Sequence, residues 1–144
     1  MKELPDSDID NVPTPIRTPF LLKFLGTIIL VISTIWFLYY TFVGIYQVYN
    51  PMFLESLNID TINFTHPTAY ITFNAIFSLF AVVSTLLVLK INILGLYGIV
   101  LSTIFLSFNE LLFGGLTHLT YLFIHIIFSF VVLIYYKKFR KSTQ

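Results

Sequence analysis

The chain has no cysteine among its 144 residues. That removes disulfide frameworks, thiolate metal sites, thioredoxin-like redox chemistry and cysteine nucleophiles together. It also removes tetraspanin- and claudin-like architectures and quinone-linked disulfide oxidases, which depend on cysteines. Charge is scarce as well: charged residues make up 10% of the chain and hydrophobic ones 57%. A soluble domain is about a quarter charged, so these few charges could hardly build a water-facing surface. The net charge of +1 offers no general attraction to nucleic acid. No phosphate-binding loop, dinucleotide fingerprint, zinc-protease helix or nucleophile elbow occurs anywhere in the sequence.

What the chain does contain is apolar runs rich in aromatics, with 16 Phe and 9 Tyr. Residues 1–19 form a polar tail with four acidic residues and prolines at Pro5, Pro13, Pro15 and Pro19, a composition unable to bury a core. The tail is acidic and no small-residue cleavage site follows the first apolar run, so a secretory signal is not expected. Four runs then read as membrane spans, at about 20–46, 68–89, 91–108 and 116–136, within a transmembrane domain 20–136. A span needs about 20 apolar residues to cross about 30 Å of hydrocarbon. Lipid offers the backbone no hydrogen-bond partners, so the runs are expected to be helices, and they lack the alternation of a β-barrel. The expected fold is an all-α membrane protein, four helices in an up-down bundle, closed by a basic tail at 137–144.

The connections are equally readable. Asn50-Pro51 suggests the start of a short interfacial helical turn over Met52–Leu57. Lys90-Ile91-Asn92 reads as a tight turn, and Leu111–Gly115 as a brief apolar loop broken at Gly114-Gly115. Asn63-Phe64-Thr65 matches the glycosylation sequon. The eight Lys and Arg precede or open the first run, occupy the turn at Lys90, or follow the fourth run. With four crossings all of them fall on one side, which the positive-inside rule makes cytoplasmic, together with both termini.

Small and polar residues recur at helical spacing in every run. Gly26, Ser33, Tyr40 and Gln47 line the first; Asn74, Ser78, Ala81 and Thr85 the second; Gly95, Gly98, Ser102 and Asn109 the third; Thr117, Tyr121, His125 and Ser129 the fourth. Such seams let membrane helices approach closely and bond across the contact. In an antiparallel hairpin of the second and third runs, Thr85 should meet Gly95, Ala81 should meet Gly98, and Ser78 should meet Ser102.

His125 is the residue of greatest chemical interest, about 13 Å inside its helix at 1.5 Å per residue. An ionisable group at that depth is either a neutral core histidine bonded to a hydroxyl or a working group. With Asn74, Tyr40, Tyr121, His118 and Glu110 it makes a candidate polar pocket. His66, His118 and Glu110 share the non-cytoplasmic boundary and could meet on zinc only if loops brought them together, so no metal is expected. A haem held by two imidazoles would need a second buried histidine. No catalytic residues and no cofactor are expected.

The long first run, the passage Lys90-Ile91-Asn92-Ile93-Leu94-Gly95-Leu96-Tyr97-Gly98 and the basic end Tyr135–Lys141 resemble the layout of short four-helix bacterial inner-membrane proteins. The DoxX-like four-helix family has a similar architecture, but no motif of it carries over. This resemblance of layout implies a bacterial inner-membrane location and no activity. Lipid is the expected environment, and a membrane-protein partner or a second copy the expected contact. The leading functional expectation is a structural or accessory membrane protein. A carrier of a proton, ion or small solute around His125 stands second, and an enzyme third.

Overall fold

The computed structural model describes residues 18–50, 67–114 and 119–141. The expected interfacial turn at 52–57, the sequon, His66, Thr117 and His118 lie outside the described residues. Five helices follow one another: α1 Phe20–Tyr49, α2 Pro67–Leu89, α3 Ile93–Asn109, α4 Leu119–Ile134 and α5 Tyr136–Lys141. Three are long and apolar enough to cross a membrane, Phe20–Tyr49, Thr68–Leu89 and Ile93–Leu112; α4 is apolar but shorter, with 16 residues. Its length of about 24 Å compares with about 30 Å of hydrocarbon, and a break at Tyr135 separates it from α5. The described chain is thus an all-helical assembly compatible with a membrane protein. Many of its exposed large side chains are apolar, Phe24, Ile35, Leu38, Phe42, Ile104 and Phe130 among them.

The helices pack in chain order, α1 on α2, α2 on α3, α3 on α4, and α4 back on α1. Neighbours run antiparallel. Gly26 meets Leu89 while Gln47 meets Thr68, and Gly26 meets Phe128 while Ser33 meets His125. Lys23, Lys90, Lys137, Lys138 and Arg140 consequently belong to one end of the bundle, where Thr18 Oγ also bonds the carbonyl of Leu89 at 3.1 Å. That end is filled by an apolar cluster of Leu22, Ile29, Val88, Ile91, Leu96, Ile99, Phe128, Val132 and Phe139.

The turn between α2 and α3 fixes their approach. Asn92 N–H bonds the Leu87 carbonyl at 2.9 Å and Ile91 N–H bonds that of Val88 at 2.9 Å. These are the two bonds of a Schellman cap, with Ile91 at φ 54° in the left-handed position usually left to glycine. A β-branched residue there costs of order 1–3 kcal/mol. Burial offsets that cost, since the Ile91 side chain is enclosed in the apolar cluster. Asn92 then starts the next helix, its side chain accepting from Leu94 N–H at 2.9 Å. The tight turn at 90–92 is therefore present, but α3 begins at Ile93, not at Ile91.

This cap sets a register different from the expected one. A Cβ on Gly98 would lie 2.9 Å from Ser84 Cβ, and one on Gly95 would lie 2.7 Å from the Leu87 backbone and against Val88 N. Gly98 thus faces Ser84 where Ala81 was expected, and Gly95 faces Leu87 and Val88 where Thr85 was expected. The cap spends two residues on the turn and slides the pairing by two or three positions. The Ser78 hydroxyl pairs with that of Tyr121, not with Ser102, and Ser102 back-bonds to the Ile99 carbonyl. All of Ser78, Ala81, Thr85, Gly95, Gly98 and Ser102 are nevertheless buried. The expected loop from Leu111 is corrected as well: Glu110–Gly114 is a π-helical turn that extends α3.

These contacts separate two glycines by consequence. Gly95→Ala pushes a methyl into backbone and should cost about 2–3 kcal/mol. Gly98→Ala meets a side chain, and Ser84→Gly should restore most of its stability while leaving Gly95→Ala unrescued. Reversible unfolding in mixed micelles measures all four variants.

Candidate functional site

The buried polar residues form two groups stacked along the bundle axis. The middle group contains His125, wholly buried on α4, whose Nε2 lies 3.1 Å from Ser33 Oγ on α1. The Tyr121 ring meets the imidazole edge-on at 4.6 Å, and Tyr121 Oη reaches Ser78 Oγ on α2 at 3.3 Å. Three helices therefore converge on the His125 region, and the fourth joins α4 one turn further on through Thr103 and Ser129, 2.8 Å apart. His125 Nδ1 is buried with no hydrogen-bond partner. Whichever tautomer binds Ser33, the other nitrogen holds an unmatched donor or acceptor.

The second group sits nearer the end that holds none of the described cations. Tyr70 on α2 donates from Oη to Glu110 Oε1 at 2.6 Å. Its proton is thereby committed, so in the 3.5 Å contact between Tyr40 and Tyr70 hydroxyls Tyr40 is the donor. The Tyr70 carbonyl accepts from Asn74 Nδ2 at 3.1 Å and from Asn109 Nδ2 at 3.4 Å. Consecutive residues Asn109 and Glu110 thus hold Tyr70 by its carbonyl and its hydroxyl. Between the groups lies Trp36, its ring centroid 5.4 Å from Tyr40 and 5.5 Å from Tyr121. Each such aromatic contact is worth about 0.5–1.5 kcal/mol beyond burial.

Of the sequence-derived pocket, Tyr40 and Glu110 join the outer group, His125 and Tyr121 the middle one, and His118 lies outside the described residues. Asn74, grouped with Tyr40 in that pocket, bonds back along its own helix to the Tyr70 carbonyl. Glu110 was expected at the non-cytoplasmic boundary and as a member of the candidate polar pocket. It is buried, 3% exposed, because the π-helical turn holds it under α2. Two central residues were not assigned to the pocket from the sequence. Tyr70 lies four residues before Asn74, so extending that seam one turn would have found it. Trp36 lies three residues after Ser33 and four before Tyr40, on the same helical face.

Among the described residues, no three His, Cys, Asp or Glu side chains gather as metal ligands do. A groove of about 350 Å³ lies between α1 and α2 at the Gln47 end, lined by Gly44, Gln47, Val48, Thr68, Ile71 and Thr72. No family model, curated protein or solved structure matches the chain.

The Ser33–His125 pair yields a test of what the imidazole contributes. Ser33→Ala leaves both ring nitrogens unmatched and should destabilise by about 1–2 kcal/mol. Removing the imidazole too, as Ser33→Ala with His125→Leu, should return the bundle to within about 0.5 kcal/mol of wild type, since replacing both partners by apolar groups is nearly neutral. A double-mutant cycle in micelles gives the coupling directly.

Proposed function

We propose that this chain is an integral membrane protein of four spans, with both termini cytoplasmic in a bacterial inner (plasma) membrane. We propose further that it serves as a structural or accessory component, bound to a membrane partner or a second copy. The orientation is supported by the described cations sharing one end of the bundle, as the positive-inside rule requires.

One observation carries the accessory role. The cationic half of the bundle is filled by Leu22, Ile29, Leu96, Ile99, Phe128 and Val132, and most buried polar groups are bonded to one another. Among the described residues, the polar side chains buried towards that end are small hydroxyls, such as Ser84, Thr85 and Ser102. The outward surface is what is left to do the work, and there the partner binds. A second reading, a carrier of a proton, ion or small solute, is favoured by the buried Glu110 and by the unmatched Nδ1 of His125. It requires the apolar half to open during the cycle.

The absence of cysteine makes topology directly measurable. Single cysteines at Ser7, Lys90 and Ser142 should react with an impermeant maleimide only after the cells are permeabilised, and one at Glu55 should react in intact cells. The opposite pattern overturns the orientation. For function, gentle extraction followed by native mass spectrometry should give one assembly of fixed stoichiometry, retained in His125→Leu. A bare single chain, together with proteoliposome uptake whose pH midpoint disappears in His125→Leu, would replace the accessory role with the carrier.

A further inference from the structure

The short helix α5 is anchored on one side and charged on the other. α4 stops at Ile134, and the Tyr135 carbonyl starts the next helix by accepting from Lys138 N–H at 2.9 Å and from Phe139 N–H at 3.4 Å. Phe139 is wholly buried in the apolar cluster, and Tyr135, four residues earlier, packs against the same cluster. Residues four apart share a helical face, so these two aromatic side chains turn one side of α5 into the bundle. Lys137 and Arg140, three apart, share another face, and both are exposed; Lys138 between them is half-buried. None of the three has a carboxylate partner among the described residues, where Glu110 is the one carboxylate and lies buried at the opposite end. Just before α5, Leu133 and Ile134 are exposed and apolar. The positive-inside rule asks for cations at this end but not for a fixed array of them. A loose tail would satisfy it, whereas here the array is held against the core with apolar surface beside it.

We propose that α5 binds the headgroup of an anionic phospholipid through Lys137 and Arg140, with Lys138 beside them, while Leu133 and Ile134 meet its acyl chains. The site rests on the membrane reading above, and not on whether the chain supports a partner or carries solute. Phosphate oxygens suit both kinds of cation, Arg as a bidentate fork and Lys as a point charge. A lipid of net negative charge is favoured because juxtamembrane cations are attracted by anionic headgroups. An acidic peptide would match the cations but not the apolar surface at Leu133 and Ile134, which a lipid chain covers. Free phosphate has no chain to place there.

The single tryptophan supplies the readout. Purified full-length protein in dodecyl maltoside micelles would be titrated with dioleoyl phosphatidylglycerol or dioleoyl phosphatidylcholine, following thermal unfolding by Trp36 fluorescence. The expected result is a saturable rise of the midpoint with phosphatidylglycerol that neither phosphatidylcholine nor inorganic phosphate produces. Half-saturation should move up by about tenfold or more in Lys137→Gln with Arg140→Gln. Lys23→Gln with Lys90→Gln removes as many charges from the same end and should move it less. All four positions are exposed, so both double variants keep the core. Equal shifts in the two mean that total charge attracts the lipid, and they overturn the site on α5. An equal response to inorganic phosphate overturns it too. So does a wild type indifferent to phosphatidylglycerol, in which case a carboxylate of the acidic tail or of a protein partner is the countercharge. Protein that stays dispersed once detergent is removed without lipid refutes the membrane reading instead, whatever the titration shows.

Discussion

Away from water a polar group has only the protein to bond to, and the interior of this bundle follows from that constraint. Helices satisfy their own backbones. Side chains such as Thr27, Thr34, Thr72, Thr85 and Ser107 return to the carbonyl one turn back. The groups that cannot do so are drawn inward until they meet partners on other helices, as Ser33 meets His125, Ser78 meets Tyr121 and Thr103 meets Ser129. Interhelical bonds of this kind average well under 2 kcal/mol each in membranes. Their larger effect is to determine which faces point inward, because a rotation of any helix would strand several groups at once.

The close approach of α2 and α3 adds a second restriction. Glycine at 95 and 98 lets backbone and Ser84 fill space that a methyl would occupy. The Schellman cap at Ile91 holds the two helices in that register, and the strain of a left-handed isoleucine is tolerated because the side chain seals the apolar end with Phe139 and Val88. The turn is thus both a connector and a component of the core.

The runs, the hairpin and the inward seams could be read from periodicity because most exposed positions on these helices are apolar, so a small or polar residue stands out. That is why Ser33, Tyr40, Ser78 and His125 were recognised as inward before any coordinates. The same logic failed for Tyr70, whose aromatic ring blends into an aromatic-rich chain. Glu110 was legible as a pocket candidate, but its burial was not, because its place after Asn109 at the end of a run suggested a boundary. Register was out of reach for a different reason. It depends on a cap whose left-handed residue is isoleucine, and nothing in the composition of Lys90-Ile91-Asn92 announces that geometry. The π-helical turn is equally silent, since Leu111 and Leu112 suit a loop at the membrane surface as well as a wide helical turn.

The distribution of polarity along the axis has a direction that packing alone does not require. A bundle needing only adhesion could spread its polar contacts evenly. Here the cationic end holds the apolar cluster, with only small hydroxyls such as Ser84 and Thr85 buried near it, whereas the opposite half holds the carboxylate, the tyrosine pair and the two unmatched amide oxygens. A buried carboxylate is costly wherever it sits, and the cost is least where water or ions can approach over the shortest distance. Glu110 is the residue that meets this condition, one turn from the end of its span and under Tyr70. His125, deeper and apolar-flanked on one side by Phe128, is held by a neutral hydroxyl instead. The two groups therefore differ in kind: the outer one joins a carboxylate to two tyrosine hydroxyls, and the inner one joins an imidazole to a serine and locates α1 against α4.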